Sequence, residues 1–406
     1  MQTSNVKAAP IYQQFGVKRV INCVSTTSPL GSSVVAPQVM TAMNAAATHF
    51  VALDDLQNKV GAVIAGMTGT DCAIVTSGCA AALTMATAAC MMKNTPLDKY
   101  QLAPDRPPQE AGDWFTWMQR LPNDTAGLRN EILLQRGHYN MYSQAHRAAG
   151  AQLALAGTST ECSFTELEAA LTSRTAAIAF VGMYVHRGLP ISDVVTLAQR
   201  HDLPIIVDAS YTLPPRSNLQ YWAAVGADLV CYSGGKAIRG PTDTGILCGR
   251  EDLVTLAAIQ MSPHHGIGRG LKIDKTQIIG LVTALELFVA QDDEVEFQFL
   301  KNKAEYILRE LIGLPEIQSI DLVVPTTGYM QRRPVLCLTL NENQLQITTQ
   351  QIVNFLYTST PAIWTYYNHP LCPGGITMNT QNLLESEEQI VVECLRTLLY
   401  RNRITT

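Results

Sequence analysis

Along the chain, short runs of apolar strand formers alternate with stretches whose apolar residues recur at helical spacing, the rhythm of a parallel α/β sheet with crossover helices. The runs Cys72–Thr76, Glu131–Gln135, Ala151–Ala156, Ala176–Gly182, Pro204–Asp208, Asp228–Tyr232 and Thr244–Gly249 are expected to be strands. Ser163-Phe164-Thr165-Glu166 has the form of a capping box and should open a helix to about Leu171. Ser192, followed by Val194, Val195, Leu197 and Ala198, should open the next. The stretch Lys93 to Asn130 breaks the rhythm with Pro96, Pro104, Pro107, Pro108 and Pro122 around Trp114, Phe115 and Trp117. It reads as a loop with a short helix covering the core, or as an active-site wall or subunit contact.

Beyond Asp274 a helical pattern runs from Gln277 to Leu311. Strand-like Ile320–Val324, Pro334–Leu340, Ile352–Tyr357 and Ala362–Tyr366 follow, and a helix near Glu387–Tyr400 closes the chain. A chain of 406 residues suits two unequal cores. The expected division is an N-terminal arm at 1–20, a large cofactor-binding domain at 21–275, and a linking helix with a small α+β domain at 276–406.

Composition narrows the classes. Hydrophobic residues make up 47% and charged residues 16%, as in a folded globular protein. With 29 basic against 34 acidic residues and no like-charge run, the chain has no basic footprint for nucleic acid. The most hydrophobic stretch, Cys79 to Met92, is too short and too rich in alanine and threonine to span a bilayer. The ten cysteines are scattered without zinc-ligand spacing, so no metal is expected. They read as buried thiols in a reducing compartment, the cytoplasm.

Chemistry concentrates at the ends of the expected strands. Asp208 ends the run Pro204-Ile205-Ile206-Val207, and Lys236 follows Ser233-Gly234-Gly235 after the next. A lysine joins an aldehyde only as a neutral amine, and a pyridinium keeps its proton only beside a carboxylate, so this pair suits pyridoxal 5′-phosphate. Read singly, Asp208 also suits a helix cap and Lys236 a solvated loop. Ser77, Gly78 and Cys79 open an alanine-rich helix after a strand, where free amides suit a phosphate. Ser233 is a second hydroxyl for that group. His138, in Gln135-Arg136-Gly137-His138, is a candidate to stack on the ring and move protons, with a hydrogen-bonded structural histidine as the competing reading. Ser210 should share the side of the chain that Asp208 faces.

These residues, with Leu213-Pro214-Pro215, Arg239-Gly240-Pro241 and Gly268-Arg269-Gly270-Leu271-Lys272-Ile273-Asp274-Lys275, carry a resemblance. From about Val20 to Leu287 the chain resembles the selenocysteine-synthase-like branch of fold-type-I pyridoxal phosphate enzymes, in its short members related to D-glucosaminate-6-phosphate ammonia-lyase. The resemblance implies an α/β, aminotransferase-like fold with a mostly parallel seven-stranded sheet and a smaller C-terminal domain. It implies Lys236 as the Schiff-base lysine, Asp208 as partner of the ring nitrogen, and Ser77, Gly78, Cys79 and Ser233 as phosphate contacts. It also implies a homodimer or larger homo-oligomer. Cys79 stands where alanine-like residues are usual in such proteins, and Met183-Tyr184-Val185-His186 does not match the pattern.

The cofactor as electron sink makes Lys236 the natural base for an α-proton. Elimination would then release a keto acid and ammonia from an amino acid or amino sugar acid, with Arg239 and Arg269 as candidates for its carboxylate. Carbon-sulfur lyase, aldolase and racemase chemistry share these residues. Selenium transfer to a seryl-tRNA would need a basic face that this chain lacks. A catalytically silent protein that binds a phosphorylated ligand is the reading from another class.

Overall fold

The computed structural model describes residues 9–99 and 113–404; part of the proline-rich excursion, residues 100–112, lies outside the described residues. The chain forms two compact units. Ser33–Ala290 make the larger, and the residues before and after them make the smaller. The first strand, β1 (Val20–Asn22), belongs to the smaller unit.

The next seven strands build the sheet of the larger unit: β2 (Cys72–Thr76), β3 (Glu131–Gln135), β4 (Gln152–Ala156), β5 (Thr175–Val181), β6 (Ile205–Asp208), β7 (Leu229–Ser233) and β8 (Gly245–Gly249). Their order is β2-β8-β7-β6-β5-β3-β4. All run in one direction except β8, which pairs antiparallel with both β2 and β7. Every residue of β5 and β6 is buried, so these strands read as unbroken apolar runs, as strands covered on both faces do. The common direction brings the residues after β2, β3, β5, β6 and β7 to one carboxyl edge. Open α/β sheets bind ligands at that edge.

The helix Cys79–Met92 is buried along nearly its whole length, which explains its lack of a polar face and its small side chains. In the excursion, the short helix Asp113–Met118 places Met118 in the interior, and Trp114 and Trp117 pack against the core. Among the described residues, this stretch acts as a cover of that core.

The smaller unit contains β9 (Ile317–Val323), β10 (Val335–Leu340), β11 (Ala362–Trp364), β12 (Tyr366–His369) and β13 (Cys372–Asn379). β12-β13-β10-β9 form an antiparallel sheet, and β1 pairs parallel with β11. Leu336, Leu338, Ile376 and Met378 line one face of that sheet and share a core with the helices Asp293–Leu311, Thr349–Thr358 and Glu387–Arg401.

The unit boundaries differ from the expected 1–20, 21–275 and 276–406. Pairing of β1 with β11 draws residues 21–32 into the smaller unit. The helix Lys275–Val289 buries Ile278, Leu281, Leu285 and Phe288 in the larger core, and the chain changes unit just before Asp292 caps the helix that follows. Ile352–Tyr357 is helical, not a strand: Thr348 and Gln351 form a capping box, and Ile352 and Leu356 fall on one buried helix face. The helix expected to open at Ser192 begins at Ile191 after Pro190.

Candidate active site

At the carboxyl edge, Asp208 ends β6, and its Oδ1 accepts the Ser210 backbone N–H at 3.0 Å. Asp208 is only 8% exposed. The Cys79 thiol stands 3.9 Å from the same oxygen and donates to the Cys231 carbonyl at 3.4 Å. Burial, then the Asp208 charge, pushes that thiol well above its ordinary pKa, so Cys79 is a neutral donor here and not a nucleophile.

Lys236 follows β7 through a turn that only glycine permits. A side chain at Gly234 would stand 2.1 Å from Thr244 Oγ1, and one at Gly235 2.7 Å from the Thr242 Cα. The Gly234 N–H donates to the Thr244 carbonyl at 2.8 Å, and Ser33 Oγ donates to the Gly235 carbonyl at 2.7 Å. The lysine therefore projects from a fixed backbone. Its amine lies 3.1 Å from the centre of the Tyr211 ring and has no hydrogen-bond partner among the described residues. Burial lowers its pKa to about 8, against the upward pull of Cys79 and Asp208. At neutral pH a useful fraction of Lys236 is thus neutral amine.

The third element is the turn from β2 into the helix Cys79–Met92. Gly78 is the N-cap residue at φ 97°, and no side chain caps the helix. The Ser77 hydroxyl is buried and has no partner among the described residues. A buried orphan hydroxyl costs about 1–3 kcal/mol, and here it lies beside open helix amides. Ser233 ends the strand that leads to Lys236 and lies opposite Gly245.

A small recess opens beside Asp208, lined among others by Asn140, Tyr142, Ser143, His146 and Phe180. His146 was not singled out from sequence, because a histidine inside a short helix carries no motif. Its Nδ1 lies 2.8 Å from Thr87 Oγ1, and burial holds its pKa down to about 4. Tyr211 was also missed, since nothing in its spacing sets it apart from Ser210.

His138 departs from the expected stacking and proton-transfer role. Its ring is 0% exposed; Nδ1 accepts the Val181 N–H at 3.1 Å, and Nε2 lies 3.0 Å from the Arg187 carbonyl. The Val181 donor fixes the tautomer, with the proton on Nε2. The ring packs edge-on against Phe180 at 4.6 Å, and burial lowers its pKa to about 4. No nitrogen or face remains for a cofactor. His138 instead anchors a wall of the recess, because its carbonyl accepts from Asn140 Nδ2 at 3.0 Å. The unmatched Met183–His186 segment packs nearby, with Tyr184 under the Arg187 guanidinium at 4.4 Å.

Arg239 and Arg269 are exposed, and neither lines the recess. Arg239 holds φ 60° just after the lysine turn, while Arg269 donates to Ser262 Oγ at 2.7 Å. Lys275 is engaged by the His49 carbonyl and the Phe50 ring.

A partly desolvated lysine, a strand-end carboxylate and an orphan hydroxyl at a helix start on this sheet define a fold-type-I pyridoxal phosphate enzyme. The residues present fit the cofactor, with Ser77 and the Gly78–Cys79 amides available to its phosphate. Residues 131–308 match the family model described as L-seryl-tRNA selenium transferase. The chain is 32% identical over 393 residues to a D-glucosaminate-6-phosphate ammonia lyase of Salmonella typhimurium, covering 95% of this chain and 97% of that one. It is 33% identical over 292 residues to a 5′-C-glycyluridine monooxygenase-decarboxylase of a Streptomyces species, covering 70% and 66%. The solved structure of a D-glucosaminate-6-phosphate ammonia-lyase superposes with a TM-score of 0.81 at 29% identity, covering 97% of this chain and 99% of that one. The chain belongs to the D-glucosaminate-6-phosphate ammonia-lyase family, within the selenocysteine-synthase-like enzymes. No helix among the described residues is long and apolar enough to cross a membrane.

Proposed function

We propose that the protein is a lyase that removes the α-proton of an amino acid or amino sugar acid and eliminates a β-substituent, releasing a keto acid and ammonia. The observation that carries this reading is the Lys236 amine, held near pKa 8 by burial within electrostatic reach of Asp208. When bound, pyridoxal phosphate supplies an electron sink for the α-carbon. Lys236 would hold the cofactor, and its neutral amine would take the α-proton. Asp208 keeps the ring nitrogen protonated, and the Cys79 thiol helps fix its carboxylate. Ser77, the Gly78 and Cys79 amides and Ser233 hold the phosphate, and Ser210 holds Asp208 through its amide.

The reading takes a homo-oligomer as the working form, with exposed apolar side chains of the larger unit such as Val34, Met40, Phe50, Val51 and Val63 as candidates for its contact. The expected compartment is the cytoplasm, where thiols such as Cys231 and Cys248 stay reduced.

The test is a panel of amino sugar acids and β-substituted amino acids of both hands, assayed for keto acid and ammonia in equal amounts. Racemisation, or aldehyde release without ammonia, would replace the lyase reading by its alternatives. Carbon dioxide release would favour decarboxylation, which the name of the Streptomyces relative denotes.

A further inference from the structure

The recess beside Asp208 has an apolar wall drawn from β5, β6 and the helix Cys79–Met92, through Ala179, Phe180, Ile206 and Leu83. Of the residues assigned above to the cofactor, Asp208 alone lines it among the described residues. The recess is therefore a second neighbourhood of that carboxylate, apart from Lys236 and the phosphate groups. His146 and Ser143 are its other buried polar side chains, at 3% and 4% exposure.

His146 is held in one tautomer. The Thr87 Oγ1 lies 2.8 Å from the Leu83 carbonyl, and the proton between two oxygens at that distance must come from the hydroxyl. Thr87 can then only accept from His146 Nδ1, also 2.8 Å away. The ring proton sits on Nδ1, and Nε2 carries a lone pair with no partner among the described residues. Burial lowers the ring's pKa to about 4 against the upward pull of Asp208, so at neutral pH it is an acceptor within electrostatic reach of a carboxylate.

The other two groups complete a set. Ser143 Oγ accepts the Asn140 N–H at 3.2 Å, and its own proton has no acceptor among the described residues. Asp208 Oδ1 takes the Ser210 N–H and the more distant Cys79 thiol, while Oδ2 has no partner among them. A carboxylate against an apolar wall keeps its charge only where donors solvate it; otherwise the proton of a bound ring nitrogen passes to the carboxylate, and the pair becomes neutral. Two acceptors and one donor line the recess. The complement of that set is a molecule with two donor hydrogens and an acceptor, a water making about three hydrogen bonds.

We propose that the recess holds an ordered water that donates to Asp208 and to His146 Nε2 and accepts from Ser143, which makes His146 the positioning residue that keeps Asp208 ionised against the ring nitrogen. The proposal rests on the reading of Asp208 as the partner of that nitrogen. Thr87 fixes the orientation of the imidazole.

Nitrogen NMR tests it in two steps. In the apoprotein, with labelled histidine, proton–nitrogen correlations of the His146 ring are expected to place its proton on Nδ1; a proton on Nε2 would overturn the bridge. In the holoenzyme, with pyridoxal phosphate labelled at the ring nitrogen and the pH fixed, His146→Phe should raise the unprotonated share of that nitrogen about tenfold, the size of one hydrogen bond lost at a charged group. His146→Gln, whose amide oxygen can take the water's hydrogen, should stay close to wild type. Ser143→Ala should move the signal the same way as His146→Phe, by less, and serves where that variant does not fold. Equal signals in wild type and in whichever of these two variants folds would leave His146 a structural group and overturn the proposal. Borohydride capture on Lys236 is followed beside each spectrum: normal capture with an unmoved nitrogen signal sinks the bridge alone, whereas no capture in the wild type sinks the reading of the site and the bridge with it.

Discussion

His138 and Lys236 both follow buried strands at one carboxyl edge of the large sheet, yet their polar atoms are treated in opposite ways. Both nitrogens of His138 are taken by backbone groups on the β5 side of the site, and its ring is sealed from solvent. The Lys236 amine has an aromatic face and two polar neighbours but no hydrogen bond among the described residues. Ser77 follows the lysine pattern, with a buried hydroxyl that has no partner among the described residues. Saturated groups build the wall, and unsaturated ones face the chemistry. A buried polar group left unpaired is costly, so its persistence points to a ligand that completes it.

The sharpest break of this contrast is Asp208→Asn. Loss of the charge that keeps the ring nitrogen protonated should lower keto acid production at least about a hundredfold, on the order of 3 kcal/mol, with unfolding little changed. A variant of normal activity would remove Asp208 from the site. His138→Leu should do the reverse. Stranding the Val181 N–H and the Arg187 carbonyl should cost about 2–5 kcal/mol in denaturant unfolding, while the folded fraction still captures cofactor. If stability held and capture failed, the division between wall and site would be wrong.

Acid should expose the same division. His138 and His146 are held neutral by burial, with pKa values near 4, while an unfolded chain takes up these protons around 6.5. Their contribution is intact above pH 6.5 and is lost as the pH falls toward 4, by roughly 3 kcal/mol per histidine. Urea unfolding of the apoprotein between pH 7 and pH 4 measures it, and a flat profile would contradict the buried, neutral rings. The smallest effect is expected for Ser77→Ala. Cofactor affinity should fall about three- to tenfold by equilibrium dialysis, with stability equal or slightly higher, because the lost hydroxyl was unpaired. A loss of stability instead would place that hydroxyl among the wall groups.

The strands of the large sheet were legible because all but the half-exposed edge strand β4 are buried apolar runs, and all fourteen expected starts and ends fall within a residue of the observed ones. In the smaller unit β9 and β12 are half-covered or exposed and their signal is weaker. β13 opens on Cys372-Pro373-Gly374-Gly375, which reads as a turn, and Ile352–Tyr357 has β-branched and aromatic residues that the Thr348 cap turns into a helix. Lys236, Asp208 and Ser77 stood out because each follows a strand that its own sequence marks. His146 and Tyr211 did not, since their places depend on packing against Thr87 and the lysine turn. The role of His138 was open for the same reason: its bonds run to Val181 and Arg187, far along the chain and without a local signature.

The central claim is that Lys236 carries the cofactor. The most direct measurement is borohydride reduction of the protein loaded with pyridoxal phosphate, followed by peptide mass mapping, across a pH series. The account predicts a single stable pyridoxyl adduct on Lys236, absent in Lys236→Ala, with the rate of capture rising through a midpoint near pH 8. An adduct on another lysine, or unchanged capture by Lys236→Ala, would contradict it.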